Sequence, residues 1–177
     1  MTAAAACRTA GQVATFEAIT ALLDATGATY RVVDHEPAGK SDEVAAARGT
    51  TMEQGAKALV LTDKKDVTQF FLAVLPSNMN LDKGKFGNCI GLKGSQGKSR
   101  ITFASPDKVT ELTGCTSGTV PPFVFNEQLR LVVDRKMANV NEIAFNAASD
   151  RQSIILNTVD YLRSIGVSVN DLPDITV

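Results

Sequence analysis

A single lysine interrupts an apolar passage in the first third of the chain. Lys57 follows Gly55 and Ala56 and precedes residues 58–61 (Ala-Leu-Val-Leu), a run typical of a buried strand. Lysine is seldom fully buried, so its position beside a core strand indicates a functional ammonium group. The alternative is a stem that lies along the core while the amine reaches water.

A glycine-proline loop, named the GxxxP loop, is the second candidate for chemistry. It reads Gly118-Thr119-Val120-Pro121-Pro122-Phe123. The glycine permits an unusual φ angle, and the two prolines stiffen the exit of the loop. A loop of this kind can present backbone N–H groups at a fixed point, where they would stabilise negative charge on a carbonyl oxygen. An ordinary turn could have the same composition.

A glycine-rich stretch with a basic cluster follows the second apolar run. Residues 91–99 (GLKGSQGKS) are not a phosphate-binding loop, because five residues rather than four separate Gly91 from Gly97. A strand-like segment also follows, where that motif requires a helix. The cluster could contact a nucleic-acid backbone, or it could be a solvated charged surface. Its members are Lys83, Lys85, Lys93, Lys98 and Arg100.

Histidine and cysteine chemistry is sparsely supported. His35 beside Asp34 suggests a general base, but adjacent residues of a strand point to opposite faces, so a structural histidine is the alternative. Cys7, Cys89 and Cys115 are widely spaced and form no CxxC motif, which argues against a zinc knuckle or a disulfide framework. We expect no metal and no cofactor.

The order of predicted elements indicates an α+β fold. Short strands and about five helices do not alternate as βαβ units, so a single compact domain with a mixed, mostly antiparallel sheet flanked by helices is favoured. A capping-box pattern at Thr50 and Glu53 predicts an additional short helix. Helices are predicted at 16–26, 41–47, 106–113 and 158–165, and strands at 30–33, 58–61, 69–75, 100–103, 129–133, 143–146 and 153–156. A flexible loop is predicted through Gly84–Gly97.

Composition limits the classes of protein. The 177 residues are 44% hydrophobic and 21% charged with a net charge of -1, which excludes wholesale disorder and a global attraction to nucleic acid. No apolar run approaches the length of a membrane span, and the N-terminus lacks a signal-peptide pattern. We expect a flexible leader at 1–13, a domain at 14–168, a C-terminal tail at 169–177 and a cytoplasmic location, with an organelle leader as the alternative.

Several segments resemble, in order, the YbaK/prolyl-tRNA editing family of aminoacyl-tRNA deacylases. The similarity covers about residues 30–165. It includes Val33-Asp-His-Glu-Pro37, the acidic Ala-rich stretch from Ser41 to Gly49, Gln54-Gly-Ala-Lys57-Ala-Leu-Val-Leu61, and the passage from Leu112 into the GxxxP loop. Val132-Val-Asp134 and Phe145-Asn-Ala147 resemble the late strands of the family.

The resemblance implies an enzyme that hydrolyses the ester of mischarged tRNA, typically tRNA(Pro) carrying alanine, with cysteine or serine as further candidates. It implies that Lys57 holds the substrate and that Gly118 positions the carbonyl, as the catalytic pair. Substrate contacts are implied for Thr119, Val120, Pro121, Pro122, Phe123 and His35, and weaker tRNA contacts for Lys93, Lys98 and Arg100. Partners would be the tRNA 3′ end and a prolyl-tRNA synthetase.

Three positions depart from the pattern of the family. Ala58 stands where alanine-directed members often carry Asn, Val124 where Gly or Ala is common, and Ala148 where many members have Gly. The departures bear on the choice of amino acid more than on the reaction. Two other functions stay open from the sequence. One is a catalytically silent module that docks tRNA or a synthetase, and the other is a small-molecule binder that uses the glycine-rich stretch.

Overall fold

Seven strands and five α-helices make up about half of the described residues. A computed structural model describes residues 8–37, 40–95 and 98–177. The helices are α1 (Ala10–Ala25), α2 (Ser41–Ala47), α3 (Lys83–Cys89), α4 (Pro106–Thr113) and α5 (Thr158–Ser164). The strands are β1 (Tyr30–Asp34), β2 (Ala56–Asp63), β3 (Phe70–Pro76), β4 (Ile101–Phe103), β5 (Leu129–Val133), β6 (Glu142–Asn146) and β7 (Gln152–Asn157). Short 3₁₀ helices span Arg135–Asn139 and Val169–Asp171.

The strands are divided between two sheets that adjoin beside the start of β2. One sheet has the order β1-β7-β6 and is antiparallel, whereas the other has the order β4-β2-β3-β5, in which β3 and β5 run parallel. Gly55 forms a bridge with Ala144 of β6, whose N–H donates to the carbonyl of Gln54 at 2.7 Å. The α+β prediction with a mixed, mostly antiparallel arrangement is confirmed.

Strand β3 lies at the centre of the core, because all of its residues are buried. Alternate side chains of a strand point to opposite faces, so β3 contributes to two hydrophobic clusters. The larger cluster takes Phe70, Leu72 and Val74, and the smaller takes Phe71, Ala73 and Leu75. Helix α1 covers the larger cluster with Ile19 and Leu23, both fully buried.

The first helix begins earlier than the sequence predicted. Thr9 and Gln12 form a reciprocal capping box, so α1 starts at Ala10 instead of near Phe16. The Arg8 guanidinium donates to the carbonyl of Ala147 at 2.7 Å and to Gln152 Oε1 at 2.6 Å. Residues 8–13 of the predicted leader therefore pack against the domain, and residues 1–7 lie outside the described part.

The predicted C-terminal tail, 169–177, is also packed. Ile175 is fully buried in the smaller cluster, and its N–H donates to the Asp134 carboxylate at 2.8 Å. Lys85 and Lys136 both contact Asp174, and these ammonium groups hold the pKa of that carboxyl well below its usual range. The sequence of the tail has no clear periodicity, so its order could not be predicted from local pattern and depends on these long-range contacts.

Two local predictions were wrong. The capping-box pattern at Thr50 and Glu53 does not start a helix. Thr51 and Gln54 exchange reciprocal hydrogen bonds that close a turn instead, because the chain enters β2 at once. The first half of the predicted glycine loop is helix α3, which Asp82 caps by accepting from two backbone N–H groups. The backbone of α3 at residue 87 approaches the Leu92 carbonyl so closely that glycine is required. A Cβ there would lie 2.7 Å from the carbonyl oxygen of Leu92.

A buried tyrosine hydroxyl connects α5 to the exit of the GxxxP loop. Tyr161 is fully buried and its hydroxyl donates to the Pro122 carbonyl at 2.8 Å. We expect Tyr161→Phe to lower the free energy of unfolding by about 1–3 kcal/mol, because the buried carbonyl loses its donor. Urea unfolding measures the change.

The only other tyrosine in the sequence provides a matched control. Tyr30 donates to Asp24 at 2.8 Å in an exposed position, where water replaces the lost hydroxyl. Tyr30→Phe should therefore change the free energy of unfolding by less than about 0.5 kcal/mol. Equal losses in the two variants would refute the role given to the buried hydrogen bond.

Candidate active site

A cavity of about 450 Å³ opens where the start of β2, helix α2 and the loop at 116–120 face one another. Its volume falls in the range of roughly 300–1,000 Å³ that is common for small-molecule sites. The predicted residues Lys57, Gly118, Thr119 and Val120 all line it. Residues more than 60 positions apart in the sequence thus meet at one site.

Lys57 is held at this cavity by backbone carbonyls. Its half-buried ammonium group donates to the carbonyl of Ser77 at 3.3 Å and to the carbonyl of Met79. Burial lowers the pKa of this lysine. An ammonium group has three N–H donors, so one is left for a ligand after the two carbonyls are satisfied.

The loop opposite Lys57 is built on a tight turn. The Thr119 N–H donates to the Thr116 carbonyl at 3.0 Å, and Gly118 has a φ of +90°. Within the described ranges, the N–H groups of Ser117, Gly118 and Val120 find no hydrogen-bond acceptor. These free amides can stabilise a developing oxyanion, which is the role that the sequence predicted for the loop.

A series of side-chain hydrogen bonds holds the GxxxP loop in place. Asn146, which also lines the cavity, donates from Nδ2 to the Gly118 carbonyl at 2.9 Å and accepts from Ser153 Oγ at 3.4 Å. His35 Nε2 shares a hydrogen bond of 2.8 Å with the same Ser153 hydroxyl. The structure therefore places His35 behind Asn146 rather than among the residues that line the cavity.

The remaining loop residues face elsewhere. Pro121 and Phe123 line a separate cavity of about 180 Å³ beside α1 and α4, and Phe125 lies there with its ring stacked on Phe123. Phe123 is buried in the core, where it makes edge contacts with Phe145 and Tyr161. Pro122 is buried and accepts from Tyr161. The structure thus does not bring these three residues to the cavity of Lys57.

The basic cluster lies at the far end of β2. Ile101 of β4 pairs with Asp63, six residues from Lys57, so about 20 Å of strand separates Arg100 from the cavity. Arg100 is paired with the fully buried Asp63 and keeps the pKa of that carboxyl low. Lys93 and Lys98 are exposed. Contact of these three residues with tRNA stays a prediction.

Asn146 and Arg48 are among the polar residues of the cavity that sequence reasoning missed. Asn146 ends β6, and only its resemblance to a late strand of the family was noted. Arg48 follows Val44 by four residues and Ala45 by three, and both of these are buried. Helical periodicity therefore places Arg48 on the buried face of α2, a signal that the sequence does contain.

The three departures from the family pattern fall in different places. Ala58 lines the cavity, whereas Val124 packs against the larger core cluster. Ala148 is fully buried and has a φ of +54°, a conformation that favours glycine. Among the three, Ala58 is therefore the position that can touch a substrate.

Residues 8–37, 40–95 and 98–177 contain no group of three or more His, Cys, Asp or Glu side chains placed to hold a metal ion. The helices of this described part are also too short or too polar to cross a membrane.

Comparison with known proteins agrees with the geometry. Residues 35–164 match the family model of the aminoacyl-tRNA editing domain. The chain is 44% identical over 151 residues to the multifunctional Ser/Thr-tRNA deacylase ProXp-y of Escherichia coli K12, an alignment that spans 84% of this chain and 87% of the relative. It is 28% identical over 137 residues to a proline–tRNA ligase of Methylobacillus flagellatus, which spans 76% of this chain and 22% of the ligase.

A solved structure shares the fold. The crystal structure of hypothetical protein APE2540 superposes with a TM-score of 0.75 at 21% identity, covering 90% of this chain and 99% of that one. The family match spans most of the chain, and the GxxxP loop and Lys57 lie inside it. The chain therefore belongs to the aminoacyl-tRNA editing domain family and is an aminoacyl-tRNA deacylase.

Proposed function

We propose that this deacylase hydrolyses the ester that links serine or threonine to the 3′ end of a mischarged tRNA, in the cavity between Lys57 and Gly118. The observation that carries the proposal is that Lys57 and the loop with several free backbone amides line a single cavity. An aminoacyl ester is already activated, so positioning and stabilisation of the oxyanion supply much of the rate.

The reaction is a simple ester hydrolysis. The oxygen of a water molecule bonds to the ester carbonyl carbon, the bond from that carbon to the ribose oxygen breaks, and the ribose oxygen leaves with a proton. The free amides of Ser117, Gly118 and Val120 would stabilise the oxyanion. The neighbouring ribose hydroxyl of the tRNA would assist the water, which makes a protein base unnecessary.

Serine and threonine are preferred to alanine for two reasons. ProXp-y, which is similar over most of the chain, is named for Ser- and Thr-tRNA. In addition, the hydroxyls of Ser77 and Ser117 line the cavity and have no partner among the described residues, so they can bind a substrate hydroxyl. Alanine, the amino acid first expected from the resemblance, has no side-chain hydroxyl that could form a hydrogen bond with these groups.

The tRNA and the protein partner are further parts of the proposal. Similarity to a segment of a proline–tRNA ligase supports tRNA(Pro) as one substrate and keeps an association with a prolyl-tRNA synthetase as a prediction. Arg100 lies about 20 Å from the cavity along β2, a distance that an acceptor stem could span, and Lys93 and Lys98 are exposed. A cytoplasmic location also stays a prediction.

A panel of mischarged tRNAs tests the substrate. Ser-tRNA(Pro), Thr-tRNA(Pro), Ala-tRNA(Pro) and the corresponding esters on a second tRNA would be offered to the chain, and the release of amino acid followed. We expect kcat/KM for the serine and threonine esters to exceed that for alanine by about tenfold, the effect of one hydrogen bond. Faster hydrolysis of the alanine ester would contradict the assignment. An absence of turnover on all esters would favour a docking module.

A further inference from the structure

Arg48 is a buried cation at the wall of the active-site cavity. It follows helix α2, is only 8% exposed, and lines the same cavity as Lys57 and Gly118. Burial lowers the pKa of its guanidinium to about 10, so the group stays protonated at neutral pH. A permanent positive charge therefore faces the cavity.

No carboxylate balances this charge in the described part of the chain. Arg48 Nε donates to Thr50 Oγ1 at 3.0 Å and Nη1 donates to Ser153 Oγ at 3.4 Å, both neutral hydroxyls. Nη2 has no hydrogen-bond partner there, and it lies so close to Gly55 that a Cβ on this glycine would be 3.2 Å away. The glycine leaves room beside the free end of the guanidinium.

A buried charge without a counter-ion is unfavourable. Removal of a charged group from water costs several kcal/mol unless an opposite charge or strong hydrogen bonds compensate. Two neutral hydroxyls compensate only in part. Because Arg48 lines the cavity and its Nη2 has no acceptor among the described residues, a bound anion would supply the missing compensation.

The charge of the whole cavity favours the same class of ligand. Among its described lining residues, three are cationic, namely Lys40, Arg48 and Lys57, and one, Asp150, is a carboxylate. The planar guanidinium matches the geometry of a phosphate with paired N–H donors. In an aminoacyl-tRNA, the anion nearest to the scissile ester is the phosphodiester on the same terminal nucleoside.

We infer that Arg48 binds the phosphodiester that joins the last two nucleotides of the tRNA. The inference rests on the proposed function and adds a positioning contact to it. With the phosphate on Arg48 and the ester between Lys57 and the amides of the GxxxP loop, the terminal nucleoside is held on two sides. The contact acts on any tRNA, because every tRNA ends in the same phosphodiester.

Binding of uncleavable analogues tests the inference without requiring turnover. Two ligands are compared, 3′-seryl-amido-3′-deoxyadenosine and the same compound extended at its 5′ oxygen by a cytidylyl phosphate. Their dissociation constants are measured by calorimetry with the wild type, Arg48→Gln, Arg48→Lys and the control Arg31→Gln, which removes an exposed ion pair with Glu142.

We expect the wild type and Arg31→Gln to bind the phosphate-bearing analogue about 10- to 100-fold more tightly. The preference should vanish in Arg48→Gln and return in part in Arg48→Lys. Equal binding of both analogues by the wild type overturns the inference even if the variants fail to fold. A preference that survives in Arg48→Gln, or an equal loss for both analogues, also overturns it. Hydrolysis of Ser-tRNA by the wild type is read separately and tests the proposed function alone.

Discussion

Lys57→Met is expected to lower kcat/KM for mischarged tRNA by about 100- to 1,000-fold while the protein stays folded. Methionine keeps an unbranched stem of similar length, so the change removes the ammonium group and little of the packing. The wild-type amine is oriented by the carbonyls of Ser77 and Met79, which leaves one N–H for the substrate. The expected loss is that of one donor at a site of developing charge.

The loss should be specific to this lysine. Lys64, just beyond the other end of β2, donates to the Ser99 carbonyl at 2.9 Å and lies outside the cavity. Lys64→Met should therefore keep the rate within about twofold of the wild type, since it changes the net charge equally but lies outside the cavity. Single-turnover deacylation of Ser-tRNA, with circular dichroism for each variant, provides the comparison. Wild-type activity in Lys57→Met would remove this residue from the site.

Gly118→Ala is expected to reduce the rate by about 100-fold through the backbone. Gly118 has a φ of +90°, which an L-residue adopts at a cost of about 1–2 kcal/mol. An added Cβ would meet no atom within 4 Å, so the effect is conformational and not a steric clash. A small rotation of this peptide moves the free N–H groups away from the oxyanion, and such a donor typically contributes 100- to 1,000-fold.

A second glycine separates stability from catalysis. Gly166 follows α5 with a φ of +69°, and a Cβ there would likewise meet no atom within 4 Å. Gly166→Ala should lower the melting temperature about as much as Gly118→Ala does, and it should leave deacylation unchanged. If both variants lost activity in proportion to their stability, the GxxxP loop would have no catalytic role beyond folding.

Local patterns predicted most of the fold. Helix α4 illustrates why: Ser105 accepts from the N–H of Lys108, Pro106 is the first helical residue, and Gly114 ends the helix in a left-handed conformation. All three signals lie within ten residues. The failures occurred where distant contacts decide, as in α3, whose Phe86 is buried against Phe71 from another element.

The site was predictable only in part, because a cavity is formed by residues that meet in space. Lys57 and Gly118 could be selected from their neighbours in the sequence, and the structure does bring them to one cavity. Phe123 is the last residue of the same loop, yet the core contact with Tyr161 holds it away from the cavity. Arg48 became a candidate for substrate binding only from the structure, which shows that it has no carboxylate partner among the described residues.

Ala148 shows a departure with a structural consequence. The resemblance places glycine at this position in many members, and here a buried alanine adopts a φ of +54° in the turn between β6 and β7. Glycine is the residue that accepts such an angle without strain. The turn follows Asn146, the residue that donates to the Gly118 carbonyl, so the backbone there supports the GxxxP loop.

The location of the bound ester is the claim on which this account depends. A crystal structure with 3′-seryl-amido-3′-deoxyadenosine would show it directly, because the amide is not hydrolysed. We expect the seryl carbonyl oxygen within about 3.2 Å of a free N–H of the loop at 117–120, with the Lys57 ammonium group in contact with the ligand. An analogue bound at the apolar cavity beside Phe125, or anywhere away from Lys57 and Gly118, would contradict the assignment of the active site.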